Sequence, residues 1–539
     1  MNLKTFICSF VIFISLSFSM ESDPAYLDSS LTDNQRVEDL LSRMTIEEKV
    51  AQMCQYVGLN YLGSDSESSL TAEILNSDSK ASYKGFLKKD IAQMVVDGKI
   101  GSFLHVLQPQ ESNMLQALAL KSRLKIPLII GIDAIHGNGM VKGTTVYPSP
   151  ISISSSFTDS LSYEVGLQTA KEIRAAGSHW AFTPNIDVLR DPRWGRVGET
   201  FGEDPLLVSN MGVSMIKGLQ ETNRVIACAK HFVAGSEPVN GLNSSPMDIS
   251  ERNLREIYLK PFKKAVESGV YSIMAAHNEL NGVPCHMNKY LMKEILRDEF
   301  KFEGFIVSDW MDIERIHTLH KTADNLKDAS FLSVDAGMDM HMHGPYFLEY
   351  IVELVKENKI SEERIDESAR KILLAKFKLG LFEDPFIDLT QVDKNIFTKK
   401  HKKTSLDIAR KSVVLLNNRS GILPIITSEK IKILVTGPNS NNHSILGDWT
   451  KPQPKENVVT IFEGIKMIGS QNGFQVDFHD SNKDILNITP TDISSTVAMA
   501  QDYDYVFVVV GDNSLRHLKN KKTAGENMAR AKLNLAGNQ

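Results

Sequence analysis

Cysteine is scarce. Four occur in 539 residues, and Cys8 sits in an apolar N-terminal stretch, which leaves Cys54, Cys228 and Cys285. Three thiols allow at most one disulfide, and their spacing fits no metal-ligand pattern. An excess of one charge sign is also missing. Sixty Lys and Arg stand against 66 Asp and Glu, interspersed, for a net charge of −6. The basic patch that nucleic acid binding calls for is therefore not expected. There is no Gly-rich phosphate loop and no Gly-x-Ser-x-Gly elbow, which excludes P-loop nucleotide chemistry and the α/β-hydrolase nucleophile. Long hydrophobic runs are confined to the N-terminus. Lys4 precedes the 13-residue run Phe6 to Phe18, and small residues surround Ser17-Phe-Ser19. This pattern predicts a secretory signal peptide over residues 1–20. A membrane anchor is the alternative, but the run falls short of the roughly 20 residues that cross a bilayer. No membrane span is expected in the mature chain.

What is present is a repeated event. A short apolar run ends abruptly in a charged or imidazole side chain, at intervals of 32 to 54 residues. The cases are Leu128-Ile-Ile-Gly-Ile-Asp133, His179-Trp-Ala-Phe-Thr-Pro-Asn-Ile-Asp187, Val225-Ile-Ala-Cys-Ala-Lys-His231, Tyr271-Ser-Ile-Met-Ala-Ala-His277 and Phe305-Ile-Val-Ser-Asp309. The runs are too short for globular helices, and several are rich in β-branched residues, so they read as buried parallel strands. A polar group closing each strand at βα spacing describes the active face of a (β/α)8 barrel.

At 539 residues two or three domains are expected. The spacing predicts a helix over 33–57, with Thr45-Ile-Glu-Glu48 as a capping box. A Ser/Asp/Glu-rich loop is expected over 63–82. Helices are expected at 159–176, 250–268, 288–300 and 361–379. The barrel is assigned to 21–385 and a Lys-rich exposed linker to 386–410. A second α/β domain follows over 411–539, with strands at 413–416, 432–436 and 505–510. About 130 residues remain for it, which predicts an incomplete sheet with an open edge. Either the chain is a fragment or another copy of it completes the sheet as a homo-oligomer.

The strand-end groups carry the chemistry. A carboxylate at Asp309 after a wholly apolar strand is costly to bury without a purpose, and Trp310 beside it suits the apolar face of a sugar ring. Lys230 and His231 offer donors for hydroxyl groups. Arg190, Arg193 and Arg196 crowd one segment, where Arg193 and Arg196 also fit a salt-bridge network with Glu199, Glu203 and Asp204. Carboxylates, planar donors and tryptophans together suit an uncharged polyhydroxylated ligand. His341 and His343 alternate, but no further ligand stands at metal spacing. Neither metal nor cofactor is expected.

Five motifs in order carry a resemblance. They are Gly-Ile-Asp133-Ala-Ile-His-Gly, Arg190-Asp-Pro-Arg-Trp-Gly-Arg, Phe201-Gly-Glu-Asp-Pro, Lys230-His231-Phe and Ile-Val-Ser-Asp309-Trp. Together they resemble glycoside hydrolase family 3, the β-glucosidase and β-xylosidase group, over about residues 33 to 539. The resemblance implies a barrel followed by an α/β sandwich, with the active site in the cleft between them. It places the nucleophile at Asp309 and sugar-ring contacts at Asp133, Arg190, Lys230 and His231. It adds Asp187, Met274 and His277 as further pocket positions. Many members carry tyrosine where this chain has His277. The acid/base is expected in the second domain, at Glu526 in Ala524-Gly-Glu-Asn, with Asp512 as the alternative.

The implied chemistry is retaining hydrolysis of terminal non-reducing β-D-glucosyl residues from an oligosaccharide or glycoside by an exported enzyme. Asp309 stays ionised with help from Lys230 and Arg190, and Glu526 stays protonated. A β-xylosidase is one alternative, and a catalytically dead sugar-binding relative is another. The N-acetylglucosaminidase branch is disfavoured. Its Lys-His-Phe-Pro-Gly-His-Gly run is Lys230-His-Phe-Val-Ala-Gly-Ser236 here, and no Asp-x-His pair follows before Asp248.

Overall fold

A computed structural model describes residues 24–61, 67–481 and 484–539. The expected signal peptide at 1–20 lies outside the described residues.

Eight short parallel strands form one sheet: β1 (Cys54–Val57), β2 (Ser102–Leu104), β3 (Ile129–Ile132), β4 (Trp180–Ala181), β5 (Ile226–Phe232), β6 (Ser272–Ala275), β7 (Phe305–Val307) and β8 (His341–Met342). They pair in sequence order from β1 to β7, and β8 pairs with β1. The ring closes between β7 and β8, where Met340 N–H donates to the Ile306 carbonyl at 3.0 Å and Ser308 N–H to the Met340 carbonyl at 2.9 Å. The runs read as near-continuous apolar stretches because both faces are covered. Phe103, Ile130, Ala227, Ile273 and Ile306 are all buried in one core, as parallel strands under a helical layer must be.

The helical layer follows its periodicity closely at Asp159–Ala175 and Glu362–Lys378. The stretch expected to be one helix over 33–57 divides. Asp33–Arg43 ends at Met44, and Thr45 starts a second helix, Ile46–Gln52, with a reciprocal cap. In that cap Thr45 N–H donates to Glu48 Oε2 at 2.9 Å and Glu48 N–H to Thr45 Oγ1 at 3.3 Å. Residues 54–57 then leave the helical phase and become β1. The polar stretch expected to be loop contains the helix Glu67–Ile74, whose Ile74 is buried in the main core. The Lys-rich segment is helical over Lys399–Ser412. Its His401 is buried with Nδ1 2.7 Å from Glu172 Oε1, so this helix is anchored on the barrel.

The second domain holds a parallel three-stranded sheet of β9 (Lys432–Thr436), β10 (Gln475–Phe478) and β11 (Tyr505–Val508), with β9 central. Phe462 and Ile465 of the helix Ile461–Gln471 pack on Ile433, Val435 and Val476. The strand expected at 413–416 does not form. Residues 413–416 are irregular, and Leu416 is 92% exposed. High β-propensity without a paired neighbour leaves the backbone to water. Cys54, Cys228 and Cys285 are buried free thiols.

At the foot of the barrel Lys376 is fully buried and donates to Gln52 Oε1 at 2.6 Å and to the Gly101 carbonyl at 2.8 Å. Burial pushes its ammonium down to about 7, against about 10.4 for an unfolded chain. Between those values the unfolded chain holds a proton that the folded one lacks, so this group makes stability climb as pH rises from about 7 toward 10. Lys376→Met is expected to raise the urea midpoint at neutral pH and to flatten that climb, measured by unfolding titrations from about pH 6 to about pH 9.

Candidate functional site

The C-terminal ends of the strands open into a cavity of about 380 Å³. Eight of the ten residues expected to act there line it: Asp133, Lys230, His231, Met274, His277, Asp309, Trp310 and Glu526. The barrel explains the convergence. Asp133 follows β3, Lys230 and His231 end β5, Met274 lies in β6, and His277 and Asp309 stand two residues beyond β6 and β7.

The other two expected residues lie elsewhere. Arg190 is exposed and does not line the cavity, which takes Arg196 from the same segment instead. The Arg196 guanidinium is buried, with Nη2 2.8 Å from Glu199 Oε2 and 3.1 Å from His231 Nε2. The salt-bridge network expected of it is thus present with Glu199, and it also forms a wall of the cavity. Asp187 lies behind His231, with Oδ2 2.8 Å from His231 Nδ1. Since Arg196 donates to Nε2, the His231 proton sits on Nδ1 and is given to Asp187. Burial, then Arg196 and Lys230, push the His231 pKa well down, in keeping with a neutral ring.

An ion pair forms part of the cavity wall. Lys230 Nζ lies 2.6 Å from Asp133 Oδ1, and His105 Nε2 lies 2.9 Å from Asp133 Oδ2. Burial would raise the Asp133 carboxyl, but Lys230 and His105 overcome it and hold it at about 2. These groups offer fixed donors and acceptors to hydroxyls.

Asp309 is oriented by backbone and imidazole groups. Trp310 N–H donates to its Oδ1 at 2.6 Å, and its own N–H donates to His286 Nε2 at 2.9 Å. His277 stands between Asp309 and Glu526. Its Nε2 is 3.1 Å from Asp309 Oδ2 and 3.6 Å from Glu526 Oε1, and its Nδ1 is 2.6 Å from Asp312 Oδ2. Burial disfavours charge on this ring, but Asp309 and Asp312 overcome it and raise its pKa to about 10. The two cavity carboxyl oxygens can therefore be no farther apart than the two Nε2 distances laid end to end. That admits the roughly 5–5.5 Å of a retaining pair and leaves out most of the roughly 6.5–9.5 Å of an inverting one.

The protonation pattern differs from the sequence-based expectation. Burial raises Asp309, opposed by His277, Lys230 and Arg196. Glu526, despite burial, is held well below the usual carboxylate range by Arg196, His277 and Arg516. Arg516 Nη2 lies 2.8 Å from Glu526 Oε2, and Arg196 Nη1 lies 3.7 Å from Glu526 Oε1. Asp512, the alternative acid, turns to Arg530 at 2.5 Å and lines a neighbouring cavity that does not include Asp309.

His277, Asp309 and Asp312 bring three potential metal-ligating atoms within 4.8 Å of one another. Arg315 Nη1 lies 2.7 Å from Asp312 Oδ1, so a cationic side chain already stands beside this cluster. His341 and His343 do not form a pair of ligands. His341 Nε2 faces Glu314 at 2.8 Å, and His343 Nδ1 faces the Tyr83 hydroxyl at 2.9 Å.

The second domain contributes Trp449, Arg516, Glu526 and Asn527 to the cavity. Trp449 stacks under the Arg516 guanidinium, 3.4 Å from its centroid, and lies 5.3 Å from Lys230 Nζ. With Trp310 it gives the cavity two indole surfaces. Trp449 comes from an irregular segment and Arg516 from the start of a short 3-10 helix, Arg516–Lys521, neither of which has a periodic pattern. His105 closes β2 by the same strand-end rule as Asp133, but a three-residue strand is too short to stand out. Backbone contacts dock the two halves: Lys451 N–H to the Gly139 carbonyl at 2.9 Å and Gly525 N–H to the Gly195 carbonyl at 2.8 Å.

A closed parallel barrel thus gathers carboxylates, hydrogen-bond donors and indoles at its strand ends. The chain belongs to glycosyl hydrolase family 3, whose N-terminal domain matches residues 45–375 and whose C-terminal domain matches residues 413–539. It is 37% identical over 479 residues to a β-xylosidase of Formosa agariphila, covering 83% of this chain and 63% of that one. It is 31% identical over 543 residues to the periplasmic β-glucosidase of Salmonella typhimurium, covering 94% and 66%. The crystal structure of a Listeria innocua β-glucosidase in complex with glucose superposes with a TM-score of 0.81 at 30% identity, over 94% of this chain and 67% of that one. The chain thus spans just under two thirds of the length of these curated relatives.

Gly195 lets the loop bearing Glu526 approach. A Cβ there would lie 2.3 Å from the Gly525 carbonyl oxygen and 2.4 Å from that of Met528. Gly195→Ala is expected to displace Glu526 and lower kcat on nitrophenyl β-glycosides by about 10²-fold, the cost of roughly 1 Å of misplacement. The melting temperature should move by only a few degrees.

Proposed function

We propose that the protein is an exo-acting retaining β-glycosidase. Its nucleophile is Asp309, its proton transfer passes through Glu526, and it releases a terminal non-reducing β-D-glucosyl residue. The observation that carries this reading is that Asp309 and Glu526 both lie within 4 Å of one imidazole nitrogen, in a cavity lined by Asp133, Lys230 and His105. The paired Asp133, Lys230 and His105 offer fixed partners for the outer hydroxyls of a chain terminus. Carboxyl oxygens this close suit attack by Asp309 on the anomeric carbon and formation of a covalent glycosyl-enzyme. Arg196, Lys230 and the two indoles would hold the ring during that attack.

A β-xylosidase is the second reading, favoured by the Formosa agariphila relative. The two differ in whether the cavity tolerates a hydroxymethyl group, and the ratio of kcat/KM on nitrophenyl β-glucoside and β-xyloside decides between them. Turnover of either excludes the sugar-binding relative without catalysis. Export is part of the proposal. It is supported by the leader pattern at 1–20 and by the periplasmic relative. Among the described residues no helix is long and apolar enough to cross a membrane.

Asp309→Asn is expected to lower kcat by about 10⁴-fold or more, the scale of losing a catalytic nucleophile, with an unchanged melting curve. A 2-deoxy-2-fluoro glycoside with an activated leaving group should add its glycosyl mass to the peptide containing Asp309. Label on another peptide, or near wild-type turnover by the Asn variant, would remove Asp309 from the mechanism.

A further inference from the structure

We propose that His277 stores the proton that the reaction delivers to the leaving oxygen, and that Glu526 relays it. The inference rests on the glycosidase reading and adds a catalytic residue to it. Among the described residues, the His277 Nε2 atom is buried without a hydrogen-bond partner and lies within 4 Å of both cavity carboxylates. Its Nδ1 is tied to Asp312, itself gripped by Arg315 Nη1 at 2.7 Å, so the Nε2–H points into the cavity.

The other groups around it cannot serve. Glu526 is clamped as a carboxylate by Arg516 and Arg196. His231, whose ring lies 6.0 Å away, accepts from Arg196 at the nitrogen that faces Asp309. His286 uses Nε2 to accept from the Asp309 N–H. Lys230 is committed to Asp133.

In the first half-reaction an Asp309 oxygen bonds to the anomeric carbon as the glycosidic C–O bond breaks. The electron pair stays on the leaving oxygen, which takes a proton from Glu526 as Glu526 takes one from His277 Nε2. The products are a glycosyl ester on Asp309, a neutral His277, an ionised Glu526 and a free alcohol. In the second half water bonds to the anomeric carbon, the ester C–O bond breaks with its electron pair returning to Asp309, and a water proton passes through Glu526 to His277. Nothing else is consumed. The timing follows from the charges. Asp309 is foremost among the groups that hold the proton on His277 against burial. Esterification removes that charge as the leaving oxygen needs the proton.

The test compares a phenyl β-glycoside, whose leaving group needs a proton, with a 2,4-dinitrophenyl β-glycoside, whose leaving group does not. His277→Gln should lower kcat/KM on the phenyl substrate by about 10²-fold or more, the usual scale of general acid catalysis, and on the dinitrophenyl substrate by less than about tenfold. Equal losses on both would make His277 a pocket wall and overturn the relay, and so would no loss on either. Continued labelling of Asp309 by the fluoroglycoside in that variant would then leave the glycosidase reading standing. Wild-type inactivity on every glycoside would overturn both. Asp312→Asn supplies a second measurement: it should move the alkaline limb of the kcat/KM profile to lower pH, and an unmoved limb overturns the relay.

Discussion

The cavity depends on charge balance among side chains that are largely removed from water. Asp133, Lys230, Arg196, Glu199, His277, Asp312 and Glu526 are all buried or nearly so, and they converge on a few ångströms of space. An unpaired charge there would cost several kcal/mol or be lost by a pKa shift. Each group is instead matched: Lys230 from β5 with Asp133 after β3, His277 after β6 with Asp312 beyond β7, and Arg196 with Glu199 three residues along the same segment. The matches are possible because a closed parallel barrel brings every strand end to one rim. The same matches tie the rim together, since removing one partner leaves the other charged and buried.

The second domain is part of that balance. Glu526 stands near Arg196 on the barrel side and is gripped by Arg516 on its own side. Arg516 in turn stacks on Trp449 and pairs with Asp448 at 2.8 Å. Asp448 offers its backbone carbonyl to His136 Nε2 at 2.8 Å. Docking of the domains therefore fixes the position of Glu526 through both charge and backbone contacts. A glycine at 195 is needed where the two backbones meet, because any side chain would occupy the space of the Gly525 carbonyl.

Much of the barrel rim was legible because burying a charge is expensive. A polar residue at the end of a wholly apolar run needs a reason, and that rule finds Asp133, Lys230, His231, His277 and Asp309 without any view of the fold. The rule weakens where strands shorten. β2 and β8 have three and two residues, so His105 at the end of β2 is not distinguished from a loop histidine. It fails where position is set by loop geometry. Arg190 and Arg196 share one Arg-rich segment, and only the tertiary path of that loop turns the first to solvent and the second into the cavity. The second domain was the least legible part. At residues 413–416 β-propensity is high but no strand is adjacent, whereas β10, with its polar Gln475 and Asp477, forms because β9 lies beside it. Pairing decided both outcomes, and pairing is not a local property.

The protonation pattern of the cavity follows from the same economy of charge. Two arginines at Glu526 make it a poor place to keep a proton, and burial makes Asp309 a reluctant anion. A histidine between them resolves both difficulties, because its positive charge stabilises either carboxylate while its proton remains transferable. A tyrosine at that position could donate a hydrogen bond to one carboxylate but could not carry positive charge. Asp309, and then Asp312 held by Arg315, together stabilise a charged imidazole there against burial. The proton balance among Asp309, His277 and Glu526 is thus set by where the barrel strand ends and the docked second domain place them.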